Sequence, residues 1–265
     1  MCATCGCGNT AHNSSTGKAI PHDHDPSASH PPSIHPHSHA TSPEKIISLE
    51  KDLLAKNDHI ARHNRDWLRH NNILALNLVS SPGSGKTTLL ERAIRDIGKD
   101  FPIFVIEGDQ ETSRDVERIR ATGCRAIQIN TGTGCHLDAD RVGSAIHDLG
   151  PTPDSLLMIE NVGNLVCPAL FDLGEKFKVA ILSVTEGDDK PLKYPHMFRA
   201  ADIMVVNKID LLPYVQFDVK NCIAYARRAN PQIRVFELSA TRGDGLSDWY
   251  QWLRQELQPA SEKTV

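Results

Sequence analysis

The chain has 265 residues, 40% of them hydrophobic and 23% charged, so it is long enough to bury one sizeable core. A net charge of −4 and an isoelectric point near 6.3 give no general case for binding nucleic acid or an anionic membrane. No apolar run reaches the roughly 18–20 residues of a membrane span. The polar N-terminus is also unlike a signal peptide, so a cytoplasmic protein is expected.

The first 42 residues are rich in Ser, Pro, Gly, Asn and His without apolar periodicity, which predicts a disordered tail over 1–42. Cys2, Cys5 and Cys7 cluster at its start, and in a reducing compartment clustered thiols indicate metal ligands before disulfides. Thiolates suit nickel, zinc or copper(I), and reactive thiols without a metal are the alternative. Weak metal sites, or a merely solvated linker, are expected from His12, His22, His24, His30, His35, His37 and His39.

After the tail, apolar residues recur at helical intervals, which predicts one or two helices in a segment over 43–72. Residues 73–258 then alternate apolar runs with helical stretches, followed by a short C-terminal tail over 259–265. This alternation predicts an α/β domain with a mostly parallel sheet and helices on both faces. Strands are predicted at Leu74–Val79, Ile103–Glu107, Ala126–Asn130, Ser155–Glu160, Val179–Val184, Ile203–Val206 and Arg234–Leu238. Helices are predicted near Thr88–Ile97, Ser113–Thr122, Ala139–Leu149, Phe217–Ala229 and Leu246–Leu257.

A phosphate-binding loop, Ser-Ser-Pro-Gly-Ser-Gly-Lys-Thr, lies between the first of these strands and the next helix. Backbone N–H groups there can cradle phosphate oxygens, Lys86 would reach the β- and γ-phosphates, and the Thr87 hydroxyl would bind Mg²⁺. Ser80 replaces the usual first glycine, at a position expected only to shape the turn into the loop. A glycine- and serine-rich surface turn is the alternative. The predicted phosphate contacts are Gly83, Ser84, Gly85, Lys86, Thr87 and Thr88.

A second motif, Asn207-Lys208-Ile209-Asp210, follows another predicted strand. The Asp210 carboxylate can accept hydrogen bonds from guanine N1–H and the exocyclic amine, whereas adenine would leave it unpaired. Ser239 and Ala240 fit the loop that closes over the base. With the phosphate loop, these residues predict a GTP or GDP pocket that includes Asn207 and Lys208.

Two carboxylates at predicted strand ends complete the expected catalytic set with Lys86. Asp109 and Glu160 can hold Mg²⁺ directly or through water, or orient the attacking water, and the Gly163 N–H can sense a γ-phosphate. The alternatives are an ordinary loop acid at Asp109 and a helix cap at Glu160.

A second set of metal ligands is predicted inside the domain. Cys135 and His136 are adjacent, and Cys167 follows a different strand, with both loops expected on the nucleotide side of the sheet. Three protein ligands are fewer than the four of a closed structural zinc site, so an exchangeable site or one shared across a dimer is expected. Cys124 and Cys222 have no such partners and are interpreted as structural.

These motifs together resemble the HypB family, the GTPases of [NiFe]-hydrogenase maturation. The resemblance rests on Cys-x-x-Cys-Gly-Cys, the His-rich tail, the phosphate loop, Gly-Cys-His-Leu-Asp, Glu-Asn-Val-Gly-Asn-Leu-Val-Cys-Pro, Val-Thr-Glu-Gly-Asp-Asp-Lys-Pro-Leu-Lys-Tyr-Pro and Asn-Lys-Ile-Asp-Leu-Leu-Pro. It implies a slow GTPase that carries nickel, dimerises with nucleotide, and works with a HypA-type chaperone to deliver nickel to the hydrogenase large subunit.

The resemblance also implies a tight nickel site at Cys2, Cys5 and Cys7 and a weaker nickel or zinc site in the domain. Leu211, Leu212 and Val215 are interpreted either as dimer contacts or as core residues. Three other functions stay open: a urease-type nickel GTPase, a nucleotide-independent nickel or zinc storage protein, and a GTP-dependent small-molecule kinase.

Overall fold

The computed structural model describes residues 43–109, 113–132 and 134–258, with side chains from residue 51 onward. The predicted tails 1–42 and 259–265 lie outside the described residues, and so do Cys2, Cys5, Cys7 and the seven tail histidines. Internal contacts divide the chain into two units, Met1–Glu50 and Lys51–Val265. The predicted domain boundaries therefore stay predictions.

The first described element is a single helix, α1, over Pro43–His70. Its proline occupies the first turn, where the missing N–H removes no helical hydrogen bond. The sequence predicted one or two helices here, and the structure has one.

Seven parallel strands form one sheet in the order β3-β2-β4-β1-β5-β6-β7. This confirms the predicted fold class and all seven predicted strands. The first strand is central, so the loop that follows it emerges in the middle of the carboxyl edge. The strands are β1 Leu74–Ser80, β2 Ile103–Asp109, β3 Arg125–Asn130, β4 Leu156–Gly163, β5 Phe177–Ser183, β6 Ile203–Asn207 and β7 Arg234–Glu237.

The five predicted helices are all present, within two residues at each end. Two short helices of four and six residues, which begin at or beside a proline, were not predicted. The helices after α1 are α2 Lys86–Ile97, α3 Arg114–Ala121, α4 Ala139–Leu149, α5 Lys190–Lys193, α6 Pro195–Ala200, α7 Val219–Ala229 and α8 Leu246–Leu257. None of the described helices combines the length and the apolar stretch that crossing a bilayer requires.

Both faces of the central strands are buried, because successive residues there are mostly apolar. Leu76 and Leu78 pack with α2 and with Trp249 of α8 on one face. Two further apolar clusters complete the core. Ala75 packs in one with residues of α4, and Val79 packs in the other with residues of α6 and α7. This packing fixes the carboxyl edge, where the strand-end loops gather.

Three leucine and valine side chains and two cysteines with predicted roles pack against the core clusters. Leu211, Leu212 and Val215 are half-buried against the cluster that contains α6 and α7, which favours the core interpretation. Cys222 is fully buried in that cluster, and Cys124 packs against the cluster that contains α2 and α8. Burial raises the pKa of Cys124 to about 11 and that of Cys222 to about 12, so both remain thiols at neutral pH.

Candidate functional site

The phosphate loop joins β1 to α2 through two left-handed glycines. Gly83 has a φ of 74° and Gly85 a φ of 97°, a region that residues with a Cβ rarely adopt. A Cβ at Gly85 would also lie 2.6 Å from Nδ2 of Asn207. The loop therefore needs glycine at position 85 both for its turn and for contact with the guanine motif.

Lys86 points into the loop rather than into solvent. Its side chain is buried, its Nζ donates to Oγ of Ser80 at 2.7 Å, and burial lowers its pKa. Ser80 was expected only to shape the turn, and that interpretation was incomplete because its hydroxyl holds the lysine. Ser80 also pairs with Gly163 at the end of β4, so the two loops start side by side.

Two buried acids lie beside the lysine. Oε1 of Glu160 accepts a hydrogen bond from the Thr87 hydroxyl at 2.8 Å, and burial raises its pKa to about 7. Glu107 is 3% exposed, and burial, followed by repulsion from Glu160, raises its pKa to about 8. Oε2 of each acid is buried without a hydrogen-bond partner among the described residues. Glu107 was not predicted as a site residue, although an acid inside the apolar run of β2 was a visible signal.

Replacing Glu107 by glutamine is expected to stabilise the nucleotide-free protein at high pH. A carboxyl whose pKa is higher in the folded chain keeps its proton there while the unfolded chain has lost it, so folding stability falls as pH rises from about 4.5 to about 8. Glutamine cannot ionise. In urea unfolding, the free energy of unfolding of the variant minus that of wild type should be on the order of 2 kcal/mol larger at pH 8.5 than at pH 5. An equal difference at both pH values would contradict the assignment, and the exposed Glu117→Gln is the control.

These groups line a cavity of about 480 Å³ at the carboxyl ends of β1, β2 and β4. The predicted Asp109 and Gly163 both line it, and Glu107, Asp115 and Arg118 line it without having been predicted. The lining residues are Pro82, Gly83, Gly85, Lys86, Thr87, Thr88, Glu107, Gly108, Asp109, Asp115, Arg118, Glu160, Asn161, Val162, Gly163 and Lys208.

The guanine motif is tied directly to the phosphate loop. The amide of Asn207 donates through Nδ2 to the Ser84 carbonyl at 2.9 Å and accepts through Oδ1 from the backbone N–H of Ala240 at 3.1 Å. Nζ of Lys208 donates to the Gly83 carbonyl at 2.7 Å. One asparagine thus connects all three predicted parts of the nucleotide pocket.

The predicted base reader carries an unsatisfied oxygen. Oδ1 of Asp210 is buried and has no hydrogen-bond partner among the described residues, which is unfavourable for a carboxylate unless a ligand donates to it. Ser239 is fully buried and its Oγ accepts from the Arg242 N–H at 3.0 Å, which holds the neighbouring loop in place.

Cys135, His136 and Cys167 converge, and their ligand atoms all lie within 4.8 Å of one another. The two sulfurs are 2.7 Å apart, and Cys135 Sγ is 3.5 Å from Nδ1 of His136. The His136 ring stacks on Phe171 at 3.9 Å between centroids, and burial lowers its pKa, which favours the neutral imidazole that binds metals. The donor set of two thiols and one imidazole suits nickel or zinc.

The metal cluster adjoins the nucleotide cavity through its own backbone. Asn164 follows Gly163 and donates through Nδ2 to the Cys135 carbonyl at 3.3 Å. Leu137 fills the space beside Gly108, where a Cβ would lie 2.8 Å from the leucine Cγ. The loop ends that line the nucleotide cavity therefore also hold the metal loops.

Two asparagines of α1, which were not predicted, hydrogen-bond to both metal loops. Asn57 accepts at Oδ1 from the Ala139 N–H at 2.9 Å and donates through Nδ2 to the Asp172 carbonyl at 2.8 Å. Asn64, two helical turns later, donates to the carbonyls of Ala139 and Leu173 at 2.8 and 3.1 Å. Each asparagine connects the loop after His136 with the loop after Cys167.

Asn57→Ala is expected to weaken metal binding at the Cys135 cluster about tenfold, because it leaves buried backbone groups unpaired and frees the two loops from each other. The measurement is Ni²⁺ affinity from the thiolate charge-transfer band, in a chain whose Cys2, Cys5 and Cys7 are serine. The control is Asn71→Ala, since the Asn71 side chain donates to the carbonyl of Trp67 at the end of α1 and not to either metal loop. Unchanged affinity together with a lowered melting temperature would mean that Asn57 supports only the fold.

Comparison with known proteins agrees with this geometry. Residues 74–237 match the family model for the CobW/HypB/UreG nucleotide-binding domain. The chain is 59% identical over 217 residues to the hydrogenase maturation factor HypB of Rhizobium leguminosarum bv. viciae, covering 82% of this chain and 73% of the relative.

Two solved structures are also similar. HypB from Archaeoglobus fulgidus has 42% identity and a TM-score of 0.72, over 77% of this chain and all of that one. HypB from Helicobacter pylori, solved in complex with nickel, has 39% identity and a TM-score of 0.71, over 77% of this chain and 98% of that one. With the family model covering the sheet and the relatives covering most of both chains, the chain belongs to the HypB branch of the CobW/HypB/UreG family.

Proposed function

We propose that this protein is a GTP-hydrolysing nickel carrier of hydrogenase maturation whose nucleotide state controls metal release. One observation carries the proposal. A Cβ at Gly163 would lie 2.9 Å from Pro82 in the phosphate loop, and Cys167 follows four residues later, beside Cys135. The loop that contacts the phosphate loop thus also holds a metal ligand.

Hydrolysis of GTP to GDP and phosphate needs little covalent chemistry from the protein, because positioning and charge neutralisation supply most of the rate. Lys86 neutralises the β- and γ-phosphates, exchanging its Ser80 contact for phosphate oxygens. Asp109 or Glu160 orients the attacking water, and the Gly163 N–H donates to the γ-phosphate. The raised pKa of Glu160 places its proton exchange near neutral pH, which suits a group that handles a water proton.

The same cavity fits Mg²⁺. Mg²⁺ prefers oxygen ligands, and this cavity offers them. The Oε2 atoms of Glu107 and Glu160, which have no hydrogen-bond partner among the described residues, lie there with the Thr87 hydroxyl. Thr87 and Asp109 would hold the ion, with the two glutamates near it. When bound, Mg²⁺ offsets charge that develops on the phosphate oxygens.

The cargo is nickel, with zinc as a competing ion. Two thiolates and an imidazole give the internal site its affinity, while three protein ligands leave a coordination position open for exchange. Cys2, Cys5 and Cys7 would form the tighter nickel site that the family resemblance implies. Support for nickel comes from the nickel-bound relative and from the chemistry of the donors.

We further propose that GTP promotes a homodimer, and that a HypA-type chaperone and the hydrogenase large subunit are partners in the cytoplasm. Val166 and Leu170 flank Cys167 and are exposed, so apolar surface surrounds the metal ligand. Such surface is typical of a docking face, and the family resemblance identifies the partners. No nucleic acid or membrane is expected to take part.

The test is Ni²⁺ titration of the full-length chain with Cys2, Cys5 and Cys7 replaced by serine, once with GDP and once with a non-hydrolysable GTP analogue plus Mg²⁺. The two affinities should differ about tenfold, the usual size of coupling between linked sites. Cys167→Ser should remove most binding in both states, which assigns the signal to this cluster. Equal affinities in the two nucleotide states would overturn the proposed control.

A further inference from the structure

We propose that His59 and His63 of α1 form a second divalent metal site, separate from the cysteine cluster and independent of GTP. The two histidines are four residues apart, so they project from adjacent turns of one helix face. Both are exposed, and their Nε2 atoms are 3.2 Å apart with the rings edge to face. The two nitrogens are therefore close enough for one ion to contact both.

The spacing matches what one ion requires. Zinc–imidazole bonds are about 2.0–2.1 Å, so two nitrogens 3.2 Å apart subtend about 100° at a shared ion. This angle lies between the square-planar and tetrahedral values, and both geometries occur for nickel, copper and zinc. Each neutral imidazole can offer one ring-nitrogen lone pair to an ion.

The pair lies on the face of α1 opposite the asparagines that hold the metal loops. Asn57 and Ala61 are buried, whereas His59 and His63 face solvent. Two protein ligands leave the other coordination positions to water. We therefore expect a weak, rapidly exchanging site for nickel, copper or zinc that picks the ion up directly from solution.

The test uses the full-length chain and histidine modification by diethyl pyrocarbonate at buffered free Ni²⁺, with each histidine quantified by mass spectrometry. Ni²⁺ should protect His59 and His63 over the same concentration range. In His59→Ala, the concentration that protects His63 should rise at least about tenfold, because a chelate loses its second donor, and His63→Ala should do the same to His59. Alanine favours the helix more than histidine does, so α1 stays intact.

His147 is the matched control, since its side chain is exposed on α4 and has no histidine four residues away. His147→Ala should leave the protection of His59 and His63 unchanged. Two outcomes would overturn the site. In one, both histidines react at the same rate with and without millimolar Ni²⁺. In the other, each keeps its protection after the other is removed, which would mean two separate imidazoles rather than a chelate. Neither outcome bears on GTP binding or on the cysteine cluster.

Discussion

Asp210→Asn is expected to lower GTP affinity roughly 100-fold and to make XTP the better substrate. The aspartate carboxylate accepts from two guanine N–H donors, whereas an asparagine side chain offers one acceptor and one donor. Xanthine presents a carbonyl where guanine has its amine, so the new donor finds a partner there. Because Oδ1 of Asp210 is buried without a partner among the described residues, hydrogen bonds donated by guanine would satisfy an otherwise unpaired oxygen.

The measurement is competition of GTP and XTP against a fluorescent GDP analogue in both proteins. Asp248→Asn, an exposed acid in the first turn of α8, is the control and should leave the preference for GTP unchanged. Unaltered discrimination between GTP and XTP in Asp210→Asn would refute the assignment of Asp210 as the base reader.

Lys86→Ala is expected to reduce GTP turnover at least about 100-fold, the size of effect seen when one preorganised charge-stabilising group is removed. The lysine is buried against Ser80 and beside two acids, so water replaces it poorly. Phosphate release with Mg²⁺ at saturating GTP measures the effect.

Lys190 provides a matched control because its Nζ donates to Oγ of Ser81, the second residue of the loop, at 2.9 Å without lining the nucleotide cavity. Lys190→Ala should keep most of the turnover. If wild type and Lys86→Ala were equally inactive while the chain still bound nickel, the protein would be a metal store with a non-functional nucleotide domain.

Most of the fold was predictable because apolar strands and amphipathic helices are local patterns. Every predicted strand is present, since runs such as Ile203–Val206 are apolar throughout and bounded by polar residues. Helices α5 and α6 were missed because four and six residues are too few to show a helical period.

The candidate site was likewise predictable only in part. The phosphate and guanine motifs are contiguous in sequence, so their residues could be named, and the structure brings them together. Asn57 and the hydroxyl contact of Ser80 could not be inferred, because each acts through space, whereas Glu107 left a signal as an acid inside an apolar run. Asn57, for example, bonds to residues 82 and 115 positions away. No local pattern records contacts over such separations.

The strand order also dictates when this domain can assemble. The central strand β1 has its neighbours in β4 and β5, so it has no native partner until about residue 163 has been synthesised. Pairing over such long separations makes folding slow, because a long loop must close before the contacts form. The phosphate loop, encoded in the first third of the chain, therefore takes its shape only after the segment that carries Cys167 has begun to emerge.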